Sequence, residues 1–261
     1  MYYDVVAYLG YGLILMLVVM SILWVVYRLM DEPSLVDIGW AAGLGALCLN
    51  YLYYTEEIGI RQVIVAAAAV IWSLRLVWHL FDRFRKGIAD KRYRYLNEIW
   101  AENLARNYLF FFLFQGVAAV VLSIVFAIAM LNRAPFNAWD VAGIVLFAIG
   151  ISGESWADWT LKKFRESPGT QTEVCRRGLW RYSRHPNYFF ELVIWIGFSC
   201  FAMSAPYGYI GLLAPVLLAI FIFRVTGIPA TERQLLASKG DKYREYQDAT
   251  SVIIPWFPNR R

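Results

Sequence analysis

Val5-Val-Ala-Tyr-Leu-Gly-Tyr-Gly-Leu-Ile-Leu-Met-Leu-Val-Val-Met-Ser-Ile-Leu-Trp-Val-Val-Tyr27 runs for 23 residues without a charged side chain before Arg28 closes it. As a helix it extends about 35 Å, enough to cross a hydrocarbon core of about 30 Å. The residues around it, beginning Met1-Tyr-Tyr-Asp4, offer neither a basic n-region nor a small-residue cleavage site. The run therefore reads as a retained first span and not as a signal peptide. Further apolar runs follow at about 35–54, 60–81, 107–131, 138–161, 188–205 and 207–226. They are continuous rather than alternating, which argues against a membrane barrel. The expected fold is an all-α integral membrane protein with about seven transmembrane helices, forming a single membrane domain over 1–261. Composition agrees: 59% of the residues are apolar or aromatic and 17% are charged, against about 25% charged in soluble domains.

A net charge of +5 and a pI near 9.1 would suit nucleic acid if the basic residues formed a soluble face. They lie instead in loops. Segment 82–106 holds seven Lys/Arg (Arg83, Arg85, Lys86, Lys91, Arg92, Arg94, Arg106), and 162–187 holds seven more. The alternate loops at 55–59, 132–137 and 206 are short and carry few positive charges. The positive-inside rule then places the N-terminus outside and the C-terminus in the cytoplasm. No nucleic-acid partner and no protein partner is expected. Cys48, Cys175 and Cys200 are an odd number without metal-ligand spacing, and His79 and His185 are the only histidines. Neither a disulfide framework nor a metal site is expected.

Ionisable residues within or at the ends of spans need a partner, a wet cavity or a route to the headgroups. Arg75, His79 and Asp82/Arg83 recur at three- and four-residue steps at the end of the third span, so they share a helix face. Glu154, Asp158 and Arg165 align on the fifth span, and Asn187, Glu191 and Trp195 follow at i, i+4 and i+8 on the sixth. Arg224 closes the seventh. Lysines and arginines taken singly fit snorkelling, but the short acidic side chains of Glu154 and Glu191 do not. Four helices presenting polar faces at one membrane level imply a shared hydrophilic cavity. Arginine forks with Asn, Asp and Tyr suit an anionic, hydrogen-bonding ligand such as a nucleotide. No strand–GxGxxG–helix unit is present, and Gly150-Ile-Ser152-Gly153 lacks the spacing of a nucleophile elbow. Gly10-Tyr-Gly12 reads as helix packing.

Gly178-Leu-Trp180-Arg-Tyr182-Ser-Arg184-His185-Pro186-Asn187-Tyr188-Phe-Phe-Glu191, followed by Trp195, resembles the C-terminal signature of the steroid 5-alpha-reductase superfamily. It is most similar to the bacterial branch described as a domain of unknown function. The resemblance continues upstream in Asp158-x-x-Leu161-x-x-Phe164-Arg165. In the tail it runs through Glu232-Arg233-x-x-Leu236, Tyr243-x-x-Tyr246 and Ile254-Pro255-Trp256. Over the N-terminal half it is looser, carried by Val36-Asp37-x-x-Trp40 and Trp72-Ser-Leu-Arg75-Leu. Isoprenylcysteine carboxyl methyltransferases, which use S-adenosylmethionine, share RHPxY and the Glu…Tyr-x-x-Tyr tail. Asn187 and Glu191 favour the reductases. Phe190 departs from the glycine that often precedes the glutamate there, which bears on helix packing.

The resemblance implies an NADPH-dependent reductase of a conjugated C=C bond in a steroid-like or other lipid enone, in the bacterial inner membrane. Residues 1–131 would form the substrate side and 138–261 the cofactor-binding half. Asp158, Arg165, Asn187, Tyr188 and Arg224 would contact the cofactor, Arg184 and His185 would help from the loop, and Tyr243 or Tyr246 would close the tail. Glu154, Glu191, Trp195, Glu232 and Arg75 complete the candidate set, with Glu191 as support for the site rather than proton donor. Hydride transfer also needs a donor at the substrate carbonyl. The family's Gln–Glu pair and tyrosine are not reproduced. The nearest candidates are Asp37, neutral if buried, then Trp72 through its indole N–H, then Gln115. Asp37 as the cap of the second span and Gln115 as an interhelical hydrogen-bonding residue are the competing readings. A methyltransferase and a non-catalytic lipid-binding protein stay open as other functions.

Overall fold

The computed structural model describes residues 2–87, 91–170, 172–225 and 227–259. Among them every regular element is helical and none is a strand. The α-helices are α1 (Tyr2–Met30), α2 (Leu35–Tyr54), α3 (Ile60–Arg85), α4 (Lys91–Ile99), α5 (Leu104–Leu122) and α6 (Ile124–Met130). They continue with α7 (Ala138–Glu166), α8 (Pro186–Ala202), α9 (Leu213–Ile220), α10 (Ile228–Lys239) and α11 (Asp241–Ala249). Among the described residues six helical runs are long and apolar enough to cross a membrane: those of α1, α2, α3 and α7, Ala101–Met130, and Gly208–Lys239. α8 is a shorter apolar helix of 17 residues. The all-helical, multi-pass membrane architecture is as the apolar runs predicted.

The chain divides into two compact units. The first comprises 1–137 with 201–214, and the second 138–200 with 215–261.

In the first unit, α1 shows why a span that is apolar all round still has an inside. Tyr8, Gly12, Met16 and Met20 are buried at four-residue steps, while Ile14, Val18 and Ile22 are exposed at the same period on another face. One stripe faces protein and the other faces lipid. Lipid tails are as apolar as leucine, so close packing rather than hydrophobicity must join the helices. Small residues provide it: a Cβ at Gly39 would lie 2.1 Å from Leu23, one at Gly43 2.5 Å from Met16, and one at Gly45 2.7 Å from Ser73. Gly12 meets Tyr51 and Leu47 in the same way, as packing glycines do, while Gly10 faces open space. The Trp24 indole donates to Ala105 O at 2.9 Å, and Tyr27 packs on Tyr108 and Phe112, joining α1 to α5.

The fourth run breaks at Ser123, between α5 and α6. The Ser123 hydroxyl donates back to Val120 O at 2.8 Å and shares a 2.7 Å hydrogen bond with the Tyr51 hydroxyl. A buried polar knot then joins the start of α3 to the chain beyond α6. Arg61 donates to the carbonyls of Asn132 (3.0 Å), Ala134 (2.7 Å) and Pro135 (3.0 Å). Gln62 donates to Met130 O and Asn132 O, both at 3.1 Å. Asn132 donates to Phe201 O at 2.9 Å, which fixes the segment 201–214 in this unit. Gln62 thereby satisfies the last carbonyl of α6, which has no intrahelical partner, and Arg61 satisfies those of the loop beyond it.

In the second unit, α7 and α8 meet through glycines. A Cβ on Gly150 would lie 2.5 Å from the Ile194 side chain, and one on Gly153 2.4 Å from the Phe190 ring. From α8, Gly197 abuts the α7 backbone: a Cβ there would lie 3.0 Å from Phe147 N. Phe190 therefore fills the room that Gly153 leaves, so the large residue on α8 is matched by a small one on α7. α7 ends over a cluster of Leu161, Phe164, Cys175 and Trp180, in which the Trp180 indole donates to Ala157 O at 2.8 Å.

Candidate functional site

The motif that follows α7 folds into a short 3-10 turn, Gly178–Arg181, and then enters α8 at Pro186. Proline suits the first helical position because its missing N–H would have no intrahelical partner there. Ser183 fixes the entry: its hydroxyl donates to Ile253 O at 2.8 Å and accepts from His185 N at 3.1 Å. Arg184 is buried and directed at the tail. Its Nε donates to Glu232 Oε1 at 2.7 Å, and its Nη1 donates to Gln247 O at 2.7 Å and Thr250 O at 3.0 Å.

Glu232, on α10, is the hub of this arrangement. Besides Arg184, its Oε1 lies 3.2 Å from His185 Nε2 and accepts from the Tyr243 hydroxyl at 3.4 Å, while its Oε2 accepts from Gln247 Nε2 at 2.8 Å. Tyr243, Tyr246 and Gln247 stand at i, i+3 and i+4 of α11, so one face of that short helix reaches the hub. The Tyr246 hydroxyl donates to Trp180 O and to Ser183 O. Burial pushes both tyrosine hydroxyls well above their ordinary pKa, with the charge of Glu232 adding to the effect at Tyr243. Both therefore serve as neutral hydrogen-bond donors. The tail closes the clamp through Arg184 N to Ser251 O at 2.8 Å and Trp256 N to Tyr182 O at 2.9 Å.

Arg184, His185, Glu232, Tyr243 and Tyr246 are thus brought together, and they bind one another. Ser183 and Gln247 belong with them and were not among the candidates. The signal for Ser183 was its place inside the motif, and for Gln247 its place one turn beyond Tyr243.

α8 presents a different set. The Trp195 indole donates to Glu191 Oε1 at 2.8 Å, one turn apart as their i, i+4 spacing required. Tyr188 stacks on His185 with ring centroids 5.4 Å apart and an interplanar angle of 10°. Asn187 Oδ1 is buried and has no hydrogen-bond partner among the described residues. An acceptor left so costs about 1–3 kcal/mol. On α7, Glu154 is buried, Asp158 half-buried and Arg165 exposed, and Arg224 is exposed in the π-helical turn Phe221–Val225.

The remaining candidates lie in the first unit. Arg75 is half-buried on α3. Trp72 is fully buried, edge-on to Trp40 with centroids 6.4 Å apart, and Gln115 is half-buried on α5. Asp37 sits in the first turn of α2, but the cap position belongs to Ser34. Its Oδ2 accepts from Arg92 Nη2 at 2.9 Å across from α4, so it is engaged as an acceptor.

Comparison with known proteins shows which family the chain belongs to. The chain is 27% identical to an uncharacterized protein of Schizosaccharomyces pombe over 280 aligned residues, covering 94% of this chain and 78% of the relative. It is also 37% identical to methanethiol S-methyltransferase 1 of Bradyrhizobium diazoefficiens over 79 residues, which is 30% of this chain and 25% of that enzyme. The family model described as protein of unknown function DUF1295 matches residues 23–250, from the last turns of α1 through the whole of α11. The chain belongs to that family, within the steroid 5-alpha-reductase-like superfamily.

Proposed function

We propose that this protein is an NADPH-dependent membrane reductase of a conjugated C=C bond in a hydrophobic, steroid-like or other lipid enone. In this reading it acts in a bacterial inner membrane, with its C-terminal tail in the cytoplasm. The observation that supports the reading most is the buried, unpartnered Oδ1 of Asn187. A nicotinamide carboxamide or an adenine amino group carries the N–H that this acceptor lacks. Other polar side chains of the same unit fit the rest of such a ligand. Arg165 and Arg224 offer guanidinium forks for phosphate, Asp158 an acceptor, and Tyr188 a ring held by its stack on His185.

NADPH, when bound, supplies a hydride. The chain's own part is to hold and orient. The clamp centred on Glu232 fixes the Arg184–His185 loop, and with it the start of α8 that carries Asn187 and Tyr188. Glu191 orients Trp195 and serves as a positioning residue. Carbonyl polarisation needs a donor. Since Asp37 is engaged by Arg92, that role falls to the Gln115 amide or the Trp72 indole N–H in the substrate half, 1–131. Purified protein given NADPH should oxidise it only when a conjugated enone is present, and the product should be heavier by two hydrogens. Methyl transfer from S-adenosylmethionine without NADPH oxidation would overturn the proposal.

One observation favours a second reading. The similarity to methanethiol S-methyltransferase 1 fits an S-adenosylmethionine-dependent membrane methyltransferase, whose adenine and amino groups would also suit the Asn187 acceptor.

A further inference from the structure

We propose that the groove between Trp100 and the outward side of α5 seats one anionic phospholipid of the surrounding membrane. The groove lies wholly in the first unit. Trp100, Asn107, Phe110, Phe111 and Phe114 line a shallow concavity of about 290 Å³. Its chemistry changes along its length. Arg106, Phe110 and Phe114 follow at i, i+4 and i+8 of α5, with Asn107 and Phe111 beside them, so one stripe of the helix carries all five. Over a rise of about 12 Å the stripe passes from a guanidinium and an amide to bare rings. Phe110 and Phe114 are 62% and 56% exposed, so the rings are open to whatever adjoins the helix.

The groove is preformed. Trp100 stands edge-on to Tyr108 with centroids 5.2 Å apart and packs on Phe111 at 5.9 Å. The Tyr108 hydroxyl donates to Asn97 Oδ1 at 2.7 Å, tying this wall to the end of α4. An ordinary interfacial aromatic belt accounts for Trp100 alone. It does not account for a concavity floored by phenylalanines, with Arg106 exposed on the same helix stripe just beyond its Asn107 end.

Charge selects the occupant. Elsewhere in the same basic segment Lys86 pairs with Asp82 and Arg92 with Asp37. Arg106 takes part in no ion pair among the described residues. It lies in the first turn of α5, where the helix dipole also favours an anion. A guanidinium fork binds phosphate bidentately, and the rings below it suit an acyl chain. A headgroup without its own cation, as in phosphatidylglycerol, leaves the phosphate free for Arg106. A phosphatidylcholine headgroup does not.

The test uses the full chain in detergent, equilibrated with equal amounts of phosphatidylglycerol and phosphatidylcholine of identical chains, with the retained lipid counted by native mass spectrometry. Wild type should retain phosphatidylglycerol in preference. Arg106→Gln should cut that preference by about fivefold, the scale of one basic residue at an anionic surface. Phe110→Ala with Phe114→Ala should lower retention of both lipids, and Arg85→Gln, an exposed arginine outside the groove, should change neither. No preference in wild type, an unchanged preference in Arg106→Gln, or an equal loss in Arg85→Gln would overturn the proposal. So would displacement of the lipid by glycerol phosphate, which has no chains. The readout is lipid retention, so its outcome is independent of whether the protein binds NADPH.

Discussion

The ring of Phe190 lies over Gly153, so close that a Cβ on the glycine would come within 2.4 Å of it. The contact fixes the approach of α8, which carries Asn187 and Glu191, to α7. Gly153→Ala should therefore overpack the interface and destabilise the protein by about 1–3 kcal/mol. Phe190→Leu in the same chain should restore part of the loss. Thermal melts in detergent check both, and a Gly153→Ala melt equal to wild type would contradict the packing account.

Arg184 and Glu232 form a largely buried ion pair. Glu232→Ala leaves the guanidinium uncompensated and removes the acceptor that His185, Tyr243 and Gln247 share. A loss of about 3 kcal/mol or more is expected, the usual scale for breaking a buried pair. Denaturant titration, followed by cleavage of the tail with protease, should show α11 released first. A change below about 1 kcal/mol, no more than an exposed pair contributes, would mean that the clamp is not what holds the tail.

Outside the membrane, Lys242 donates to Glu173 and Lys239 to the Glu173 carbonyl, docking the α10–α11 corner on the loop after α7. The hydrogen bond from Lys242 and its charge hold the Glu173 carboxyl below its ordinary pKa of 4.5. A depressed carboxylate contributes stability that is fully present above its unfolded pKa and is lost as pH falls through the folded value. Wild type should therefore melt above Glu173→Gln at pH 6, and the gap should close as pH drops below 4.5. A gap that widens on acidification would contradict the sign.

Asp37 and Arg92 are joined at 2.9 Å by a partly exposed pair. Asp37→Asn and Arg92→Gln should each cost less than about 1 kcal/mol, and the double variant little more than either. Enone reduction per folded, NADPH-loaded molecule should stay near wild type in Asp37→Asn and Asp37→Leu. A loss of about 100-fold in Asp37→Leu, the scale of one oxyanion donor, would return the catalytic role to Asp37.

The features legible in the sequence were those with a local period. The apolar runs located the spans, because helix length is set by bilayer thickness, though the run Gly208–Lys239 extends well past the expected end at 226. The Asn187, Glu191 and Trp195 ladder could be read because i, i+4 neighbours meet on any helix, and the Glu191–Trp195 hydrogen bond is that geometry realised. What joins residues far apart in sequence left no such period. Arg61 opens a span, where an arginine reads as a snorkelling anchor, yet it is buried against carbonyls more than 70 residues away. Ser123 breaks the fourth run in the middle of an apolar stretch, for a hydrogen bond to Tyr51 that lies on another helix. Glu232 was grouped with ligand-binding residues because the motif brings it along, whereas its oxygens are used within the chain. From the sequence Asp37 reads either as a donor, neutral if buried, or as the cap of the second span. Its partner, Arg92, comes from 55 residues downstream.

The central claim is that the start of α8 holds NADPH, and equilibrium binding to the purified full-length protein tests it most directly. Isothermal titration should give saturable binding of NADPH to wild type. Asn187→Ala should weaken it severalfold and Arg165→Ala by about tenfold or more, the scales of a neutral and of a charged hydrogen bond. Asn187→Ala should melt like wild type without ligand, because Asn187 Oδ1 has no partner among the described residues to lose. S-adenosylmethionine should not bind. Tight binding of S-adenosylmethionine with none of NADPH, or NADPH affinity unchanged in both variants, would contradict the account.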